Sequence, residues 1–139
     1  MKILVIDGQG GRLGRKLVES IRRICPQAEI TAVGTNSAAT ENMAGSGCAD
    51  ALATGENAVI ASCRKAQIIV GPFGIVVADA LMGEITPAMA RAVAASSAYR
   101  VLIPMNLCDT CIAGVVQGSA AILEDAIRRV GRLAEEGDR

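Results

Sequence analysis

The sequence is poor in aromatic residues and contains no histidine. Of its 139 residues none is Trp, one is Tyr and one is Phe, although 51% are hydrophobic. The interior must therefore consist of Ala, Val, Ile, Leu and Met, a composition that suits close packing of helices on a sheet. So much apolar surface on a small chain also predicts a homo-oligomer, in which another subunit covers part of it. Without histidine, no Ser-His-Asp catalytic set is available.

Net charge is absent as well. Lys plus Arg and Asp plus Glu number 14 each, so no overall field attracts nucleic acid or an anionic membrane, and we expect neither as a partner. The N-terminus enters an apolar run without the features of a signal peptide, and the apolar tract 68–82 is interrupted and too short for a membrane span. We therefore expect a cytoplasmic protein.

The five cysteines do not predict a disulfide framework, because their number is odd and no secretory signal precedes them. Cys108 and Cys111 have the Cys-x-x-Cys spacing that occurs in redox sites and in half of a zinc site. A metal site would require Cys48, Cys63 or a second subunit to complete it. Because the chain has no second cysteine pair and no His, we favour unreactive structural thiols over redox or metal chemistry and predict no metal ligands.

Short apolar runs alternate with amphipathic segments along the chain, as in a parallel sheet covered by helices on both sides. The runs 3–6, 30–33, 68–70 and 101–103 are predicted strands, and 49–52 is a weaker one. We predict one domain over residues 1–139, an α/β fold of the Rossmann-like three-layer sandwich type with a mostly parallel sheet. Residues 112–116 are predicted as an antiparallel edge strand, since the preceding connection of about eight residues is too short for a parallel crossover.

Helices are predicted from the remaining periodicity. The first begins after the glycines and ends before Pro26, and another begins at Pro87 after the capping residue Thr86. Residues 75–82 are predicted to continue as helix up to Gly83. A final helix is marked by apolar residues between Ala120 and Leu133.

The segment 7–14, Asp-Gly-Gln-Gly-Gly-Arg-Leu-Gly, lies between the first strand and the first helix. Gly8, Gly10 and Gly14 can permit a turn with positive φ, let the backbone approach a diphosphate and let the helix lie close to the sheet. Amides near Gly11, Arg12 and Leu13 would then point at the anion. The pattern favours nucleotide binding, and the alternative is that these glycines serve only turn geometry and packing.

This loop resembles that of dihydrodipicolinate reductase, in which a Gly-x-Gly-Gly-Arg-Met-Gly-Arg segment binds the pyrophosphate of NADH or NADPH. Residues Gly8 to Arg15 follow that pattern with Leu13 in place of Met. The resemblance covers about residues 1–25. The reductase's chemistry does not carry over, because its catalytic segment is rich in histidine and this chain has none.

Nearly the whole chain resembles a family of small bacterial proteins, domain of unknown function 3842. The shared segments are Ile6-Asp7-Gly8-Gln9-Gly10-Gly11, Gly34-Thr35-Asn36, Thr54-Gly55-Glu56-Asn57, Gly71-Pro72 and Gly83-Glu84-x-Thr86-Pro87-Ala88-Met89. No activity comes with this resemblance.

Two features argue against ordinary NAD binding. The acidic residue that binds the ribose belongs after the second strand, where this chain has Thr35 and Asn36. These neutral donors tolerate a 2′-phosphate, so the predicted cofactor is NADP in preference to NAD. The carboxylate of Asp7 would repel a diphosphate unless Mg²⁺ or a hydrogen bond screens it, and it can equally be a cap for the turn.

Ligands of open α/β sheets bind beyond the carboxyl ends of the strands. Those ends are rich in Gly, Pro or Asn here, although turns alone account for such residues. The predicted cofactor-binding residues are Gly8, Gly10, Gly11, Arg12, Leu13, Gly14, Thr35, Asn36, Gly71 and Pro72, with Pro104 to Asn106 at the same edge and Glu56, Asn57, Glu84 and Thr86 as further candidates from helix starts.

Three functions are consistent with the sequence. The first is a small nucleotide-binding protein whose partner is a small-molecule nucleotide. The second is an oligomeric enzyme with its active site at the sheet edge or a subunit interface, using Asp7, Glu84 or the Cys108/Cys111 pair. The third is a scaffold or interaction protein without catalysis.

Overall fold

The structure is a computed structural model that describes residues 1–105, 109–116 and 118–137. The described elements follow the predicted alternation of strand and helix. In chain order they are β1 (Lys2–Asp7), α1 (Arg12–Ile24), β2 (Glu29–Gly34), α2 (Ser37–Ala44), β3 (Ala51–Thr54), α3 (Glu56–Cys63), β4 (Ile68–Pro72), a 3₁₀ turn (Phe73–Val76), α4 (Pro87–Ala95), β5 (Tyr99–Ile103) and α5 (Ser119–Gly137).

The described strands form one sheet in the order β3-β2-β1-β4-β5, and every pairing is parallel. Its centre is β1, in which residues 3–6 are at most 1% exposed. An uninterrupted apolar run of this kind is typical of a parallel strand with helices on both faces. The predicted three-layer α/β fold is confirmed.

Alternate residues of β1 belong to two separate cores. Ile3 and Val5 pack with Leu17, Ile21 and other residues of α1, and Val130 of α5 joins them. Leu4 and Ile6 pack on the opposite face with α3 and α4. Successive side chains of a strand point to opposite faces of the sheet, so alternate residues of β1 contact different helix layers.

The predicted antiparallel edge strand is wrong. Residues 112–116 include a turn in which Gly114 has φ 88°, and Val116 is 90% exposed, so the segment adds no strand to the sheet. A short apolar run is ambiguous evidence, and among the described residues none pairs with this segment as a strand.

The helix predicted over residues 75–82 is also wrong. A 3₁₀ turn ends at Val76, and Asp79, Leu81, Met82 and Gly83 all have positive φ values between 54° and 86°. Left-handed backbone at four of five consecutive residues cannot continue a right-handed helix. The segment instead forms a tight turn before α4.

From β1 the chain adds β2 and then β3 on one side, and it then crosses over to add β4 and β5 on the other side. The direction of strand addition therefore changes between β1 and β4. The carboxyl ends of these two strands therefore border the crevice in which ligands of doubly wound sheets bind. The glycine-rich segment follows β1 directly, and the turn of residues 77–83 follows β4 after the 3₁₀ turn. No helix in the described residues has both the length and the apolar character that a membrane crossing requires.

Candidate functional site at the carboxyl edge of the sheet

We call residues 8–14 the glycine loop; they form a tight turn after β1 and continue into the first turn of α1. The N–H of Gly11 donates to the carbonyl of Gly8 at 3.0 Å, with Gln9 at φ 51° and Gly11 at φ 73°. Asp7, buried at 6% exposure, accepts the N–H of Gly14 at 2.7 Å through Oδ2. Asp7 thus satisfies one amide at the start of α1, which is the capping role considered for it above.

Contacts within the chain explain why most of the glycines in the glycine loop are required. A Cβ at Gly14 would lie 2.6 Å from Sδ of Met43 and 2.7 Å from Cβ of Asp7. A Cβ at Gly11 would lie 2.6 Å from the carbonyl oxygen of Ala39, so α1 and α2 meet at this point. Gly10 differs, since nothing lies within 4 Å of its added Cβ. Packing therefore accounts for Gly11 and Gly14 without a ligand.

Three backbone amides of the glycine loop, two of them in the first turn of α1, keep their donor capacity. The N–H groups of Gly10, Arg12 and Leu13 donate to no acceptor in the described part of the chain, whereas those of Gly11 and Gly14 are bonded. Gly10 and the side chain of Arg12 are exposed. Amides at a helix N-terminus, together with the positive end of its dipole, favour an anion.

Glu84, which is distant in the sequence, also lies at the carboxyl edge of the sheet. Its Oε1 accepts the N–H of Gln9 at 3.0 Å and the hydroxyl of Thr35 at 2.8 Å. The side-chain amide of Asn36 donates to the same oxygen. These donors belong to the glycine loop and to the residues after β2, so one carboxylate joins three segments.

Asn36 is held in the orientation that this contact requires. Its Oδ1 accepts the N–H of Ala39 at 2.9 Å and thereby caps α2. The amide nitrogen must then face Glu84 and the carbonyl of Gln9, which it reaches at 3.0 Å. Both functional atoms of the side chain are thus used within the protein.

The two carboxyl groups at this edge have pKa values displaced in opposite directions. Burial raises the pKa of Asp7, and the hydrogen bonds from Gly14 and Gly8 offset this only in part. Burial alone would raise the pKa of Glu84, but hydrogen bonds from Gln9, Asn36 and Thr35 outweigh it and lower the pKa overall. Glu84 is therefore ionised at neutral pH.

The other predicted residues are less favourably placed for a ligand. Gly71 and Pro72 are buried in β4, where Gly71 lies directly against the Ile6 carbonyl of β1. Leu13 is partly buried against the core of α1 and α5. Cys111 is exposed and free, while Cys108 and Asn106 lie outside the described residues. No group of three metal-ligating side chains occurs within the described ranges.

Two residues that the sequence did not single out support this edge. The side-chain amide of Asn42 donates to the carbonyl of Gly10 at 2.8 Å, and the hydroxyl of Thr40 lies 2.6 Å from that of Thr54. Both belong to α2. In the sequence, their position could be inferred only from their short distance from the capping residue Asn36, because that distance places both residues in the first two turns of one helix.

A doubly wound parallel sheet with a glycine loop after its first strand defines the chain as an α/β protein of Rossmann-like architecture. The chain belongs to the family of domain of unknown function 3842, whose model matches residues 2–135. The predicted membership is confirmed, whereas the likeness to dihydrodipicolinate reductase is not. Among curated proteins none matches the sequence.

One similar solved structure is a dodecameric FMN-dependent UbiX-like decarboxylase from Escherichia coli O157:H7. It is 17% identical over 94% of this chain and 91% of that chain, with a TM-score of 0.45.

The prediction of NADP or NAD as cofactor is wrong. Within this chain, the donors assigned to a 2′-phosphate, Thr35 and Asn36, are both bonded to Glu84. The negative charge of Glu84 therefore lies where the 2′-phosphate of NADP was expected.

Proposed function

We propose that this protein binds a small molecule carrying a phosphate group at the carboxyl edge of its sheet, and that it acts as an enzyme there. The observation that carries the proposal is the set of amides at Gly10, Arg12 and Leu13 that have no acceptors among the described residues; Gly10 and Arg12 are exposed and Leu13 is partly buried. A phosphate oxygen can accept several such bonds, and the guanidinium of Arg12 adds a positive charge beside them.

Catalytic capability is supported by the pair Asp7 and Glu84. Environments that drive two carboxyl groups apart in pKa are a recurrent feature of acid–base sites. Glu84, ionised and partly exposed, is the member that a ligand can reach. Asp7 is buried and acts through Gly14 and the start of α1, so we assign it a positioning role.

The proposed arrangement separates two ligand functions. The phosphate group is bound by amides of the glycine loop, and the remainder of the ligand lies toward Glu84, which favours a hydroxyl or amine that can donate to a carboxylate. This division explains why a negatively charged side chain can stand near a phosphate site: Glu84 is bound to Gln9, Thr35 and Asn36, while Gly10, Arg12 and Leu13 remain available.

The test is a thermal-shift titration with inorganic phosphate, pyrophosphate, AMP and FMN, followed by native mass spectrometry of the protein as purified. A ligand at about 100 times its Kd adds about 2.7 kcal/mol of stability, which is readily measured. We expect a saturable rise in Tm with at least one of these compounds. Arg12→Ala should weaken the response, whereas Lys16→Ala, an equal charge change one turn along the exposed side of α1, should leave it unchanged.

A scaffold without a ligand is the second candidate, and the closure of the glycine loop by Glu84 favours it. If that candidate is correct, none of the four compounds shifts the Tm of the wild-type protein and no bound small molecule is retained. Equal responses of Arg12→Ala and Lys16→Ala would also contradict binding at the start of α1.

A further inference from the structure

A groove lies between α3 and α4 on the outer face of one helix layer. Its volume is about 620 Å³, and small or apolar residues of both helices form most of its lining. We call this surface the α3–α4 groove; it is lined by Ile60, Cys63, Arg64, Ala88, Arg91, Ala92, Ala95, Ser96 and Ser97. The alanines of α4 have small side chains, so the groove has space for side chains of another molecule.

The exposure of its lining favours a protein partner over a small molecule. Arg64, Ala88, Arg91, Ala95 and Ser97 are all exposed, and Cys63 alone is buried. A pocket for a small molecule buries most of its ligand, which an open groove with exposed walls does not. Apolar surface of this shape is typical of a site that receives protruding side chains of another chain.

The groove is positively charged. Arg64 and Arg91 flank the apolar lining, and within the described residues neither forms an ion pair, although four other pairs occur there. An occupant should therefore combine apolar side chains with a carboxylate.

The turn that follows β4 has this complementary chemistry. Residues 77–83, which we call the protrusion, expose Val77 at 39% and Met82 at 93%. Asp79 lies between them, is exposed and forms no ion pair with any described residue. Met82 is the most exposed large apolar side chain of the described chain. A flexible, polarisable methionine suits insertion into an irregular groove.

The protrusion is rigidly presented rather than loosely attached. The N–H of Asp79 donates to the carbonyl of Ile85 at 2.7 Å, and that of Gly83 donates to the carbonyl of Asp79 at 3.0 Å. Leu81 and Ile85 anchor the turn in the core, at 3% and 1% exposure. Preformed surfaces lose less conformational entropy on association.

Groove and protrusion are both built on the same face of the sheet. Leu81 and Ile85 pack in the same core as α3 and α4, and the protrusion leads within a few residues to Ala88, at the beginning of α4. A two-fold interface requires complementary surfaces on one chain, so that residue i of one copy contacts residue j of the other and the reverse.

We propose that the protein forms a homodimer in which the protrusion of each copy inserts into the α3–α4 groove of the other. Met82 and Val77 contact the alanines of the groove, and Asp79 pairs with Arg91 of the second copy. Because Glu84 directly follows the protrusion, the dimer also fixes the segment that carries Glu84 to the glycine loop. This inference does not depend on the proposed phosphate site.

The experiment is sedimentation velocity of the full chain over a concentration series, with circular dichroism to verify folding of each variant. Wild-type protein should associate reversibly to a dimer. Arg91→Asp and Asp79→Arg should each raise the dissociation constant by about tenfold, a change typical of a broken charge pair. The double variant, which exchanges the two charges, should return to within about threefold of wild type because the coupling is restored.

Arg132→Glu is the matched control, since Arg132 is exposed on α5 and also lacks an ion pair among the described residues. It should leave the dimer unchanged. A wild-type monomer at all concentrations, absence of rescue in the double variant, or equal weakening by Arg132→Glu would overturn the proposal. So would a bound anionic small molecule in native mass spectra that is lost from Arg91→Asp while the protein remains monomeric.

Discussion

The two central strands, β1 and β4, are each followed by a turn with positive φ values, but the two turns are formed by different kinds of residue. After β1, glycine takes the crowded positions, Gly11 has positive φ, and a helix of 13 residues begins at once. After β4, three non-glycine residues, Asp79, Leu81 and Met82, adopt positive φ and no helix forms until Pro87. In the first region the backbone shape is encoded locally. In the second, buried anchors at Leu81 and Ile85 impose it.

The largest effect is expected where the glycine loop depends on a missing side chain. Gly14→Ala should lower the free energy of unfolding by about 2 kcal/mol, because the added methyl group meets Met43 and Asp7 in a closed site. Urea denaturation measures the change. Gly131→Ala on α5 is the control: its Cβ meets Ile24 alone, at 3.2 Å, so helix propensity should make it neutral or stabilising by up to about 1 kcal/mol. Equal effects would contradict the packing role of Gly14.

A smaller effect is expected at the contact that joins the two regions. Glu84→Ala should destabilise by about 1.5 kcal/mol, since the donors of Gln9, Thr35 and Asn36 lose a charged acceptor. Glu84→Gln, which keeps one acceptor oxygen, should cost less, and Glu41→Ala, at an exposed position of α2, should cost little.

The same variants give a pH signature. The pKa of Glu84 is lowered in the folded state, so its contribution is complete above its ordinary value of 4.5 and is lost as pH falls through the folded pKa. The stability difference between wild type and Glu84→Gln should therefore shrink on acidification from pH 7 to pH 3. A difference independent of pH would show that the charge of Glu84 is irrelevant.

The smallest effect is expected from relief of strain after β4. Met82 is exposed and has φ 56°, which glycine adopts without a steric penalty. Met82→Gly should raise the free energy of unfolding of the dilute monomer by about 0.5 kcal/mol, the strain relief being partly offset by the entropy of the unfolded chain. Gly83→Ala, at φ 86°, should act in the opposite direction. Thermal melts at low protein concentration test both, and destabilisation by Met82→Gly would contradict the strain.

The contrast between the two regions also explains what the sequence could predict. The apolar run of β1, the glycines after it and the periodicity of α1 are local signals, and each was interpreted correctly as structure. Residues 75–83 have an apolar composition that is compatible both with a helix and with a turn anchored in the core, so composition could not distinguish them.

The candidate site was predictable only in part. Strand ends of a parallel sheet must meet at one edge, so the proximity of Asp7, Thr35 and Asn36 follows from topology. That the oxygens of Glu84 bind the glycine loop depends on a turn that no local pattern encodes. The prediction of NAD(P) failed for this reason, since the donors expected to receive a phosphate are already used by Glu84.

The contact between Gln9 and Glu84 spans 75 positions of the chain, and this separation has a consequence for biosynthesis. A ribosome that adds about 5–20 residues per second takes about 4–15 s to translate that interval. Throughout it, the amide of Gln9 belongs to a nascent chain that does not yet contain its acceptor. During synthesis the N-terminal segment therefore has a free amide at Gln9 that is bonded in the finished protein. Its loop is open to cellular anions before the last strands exist.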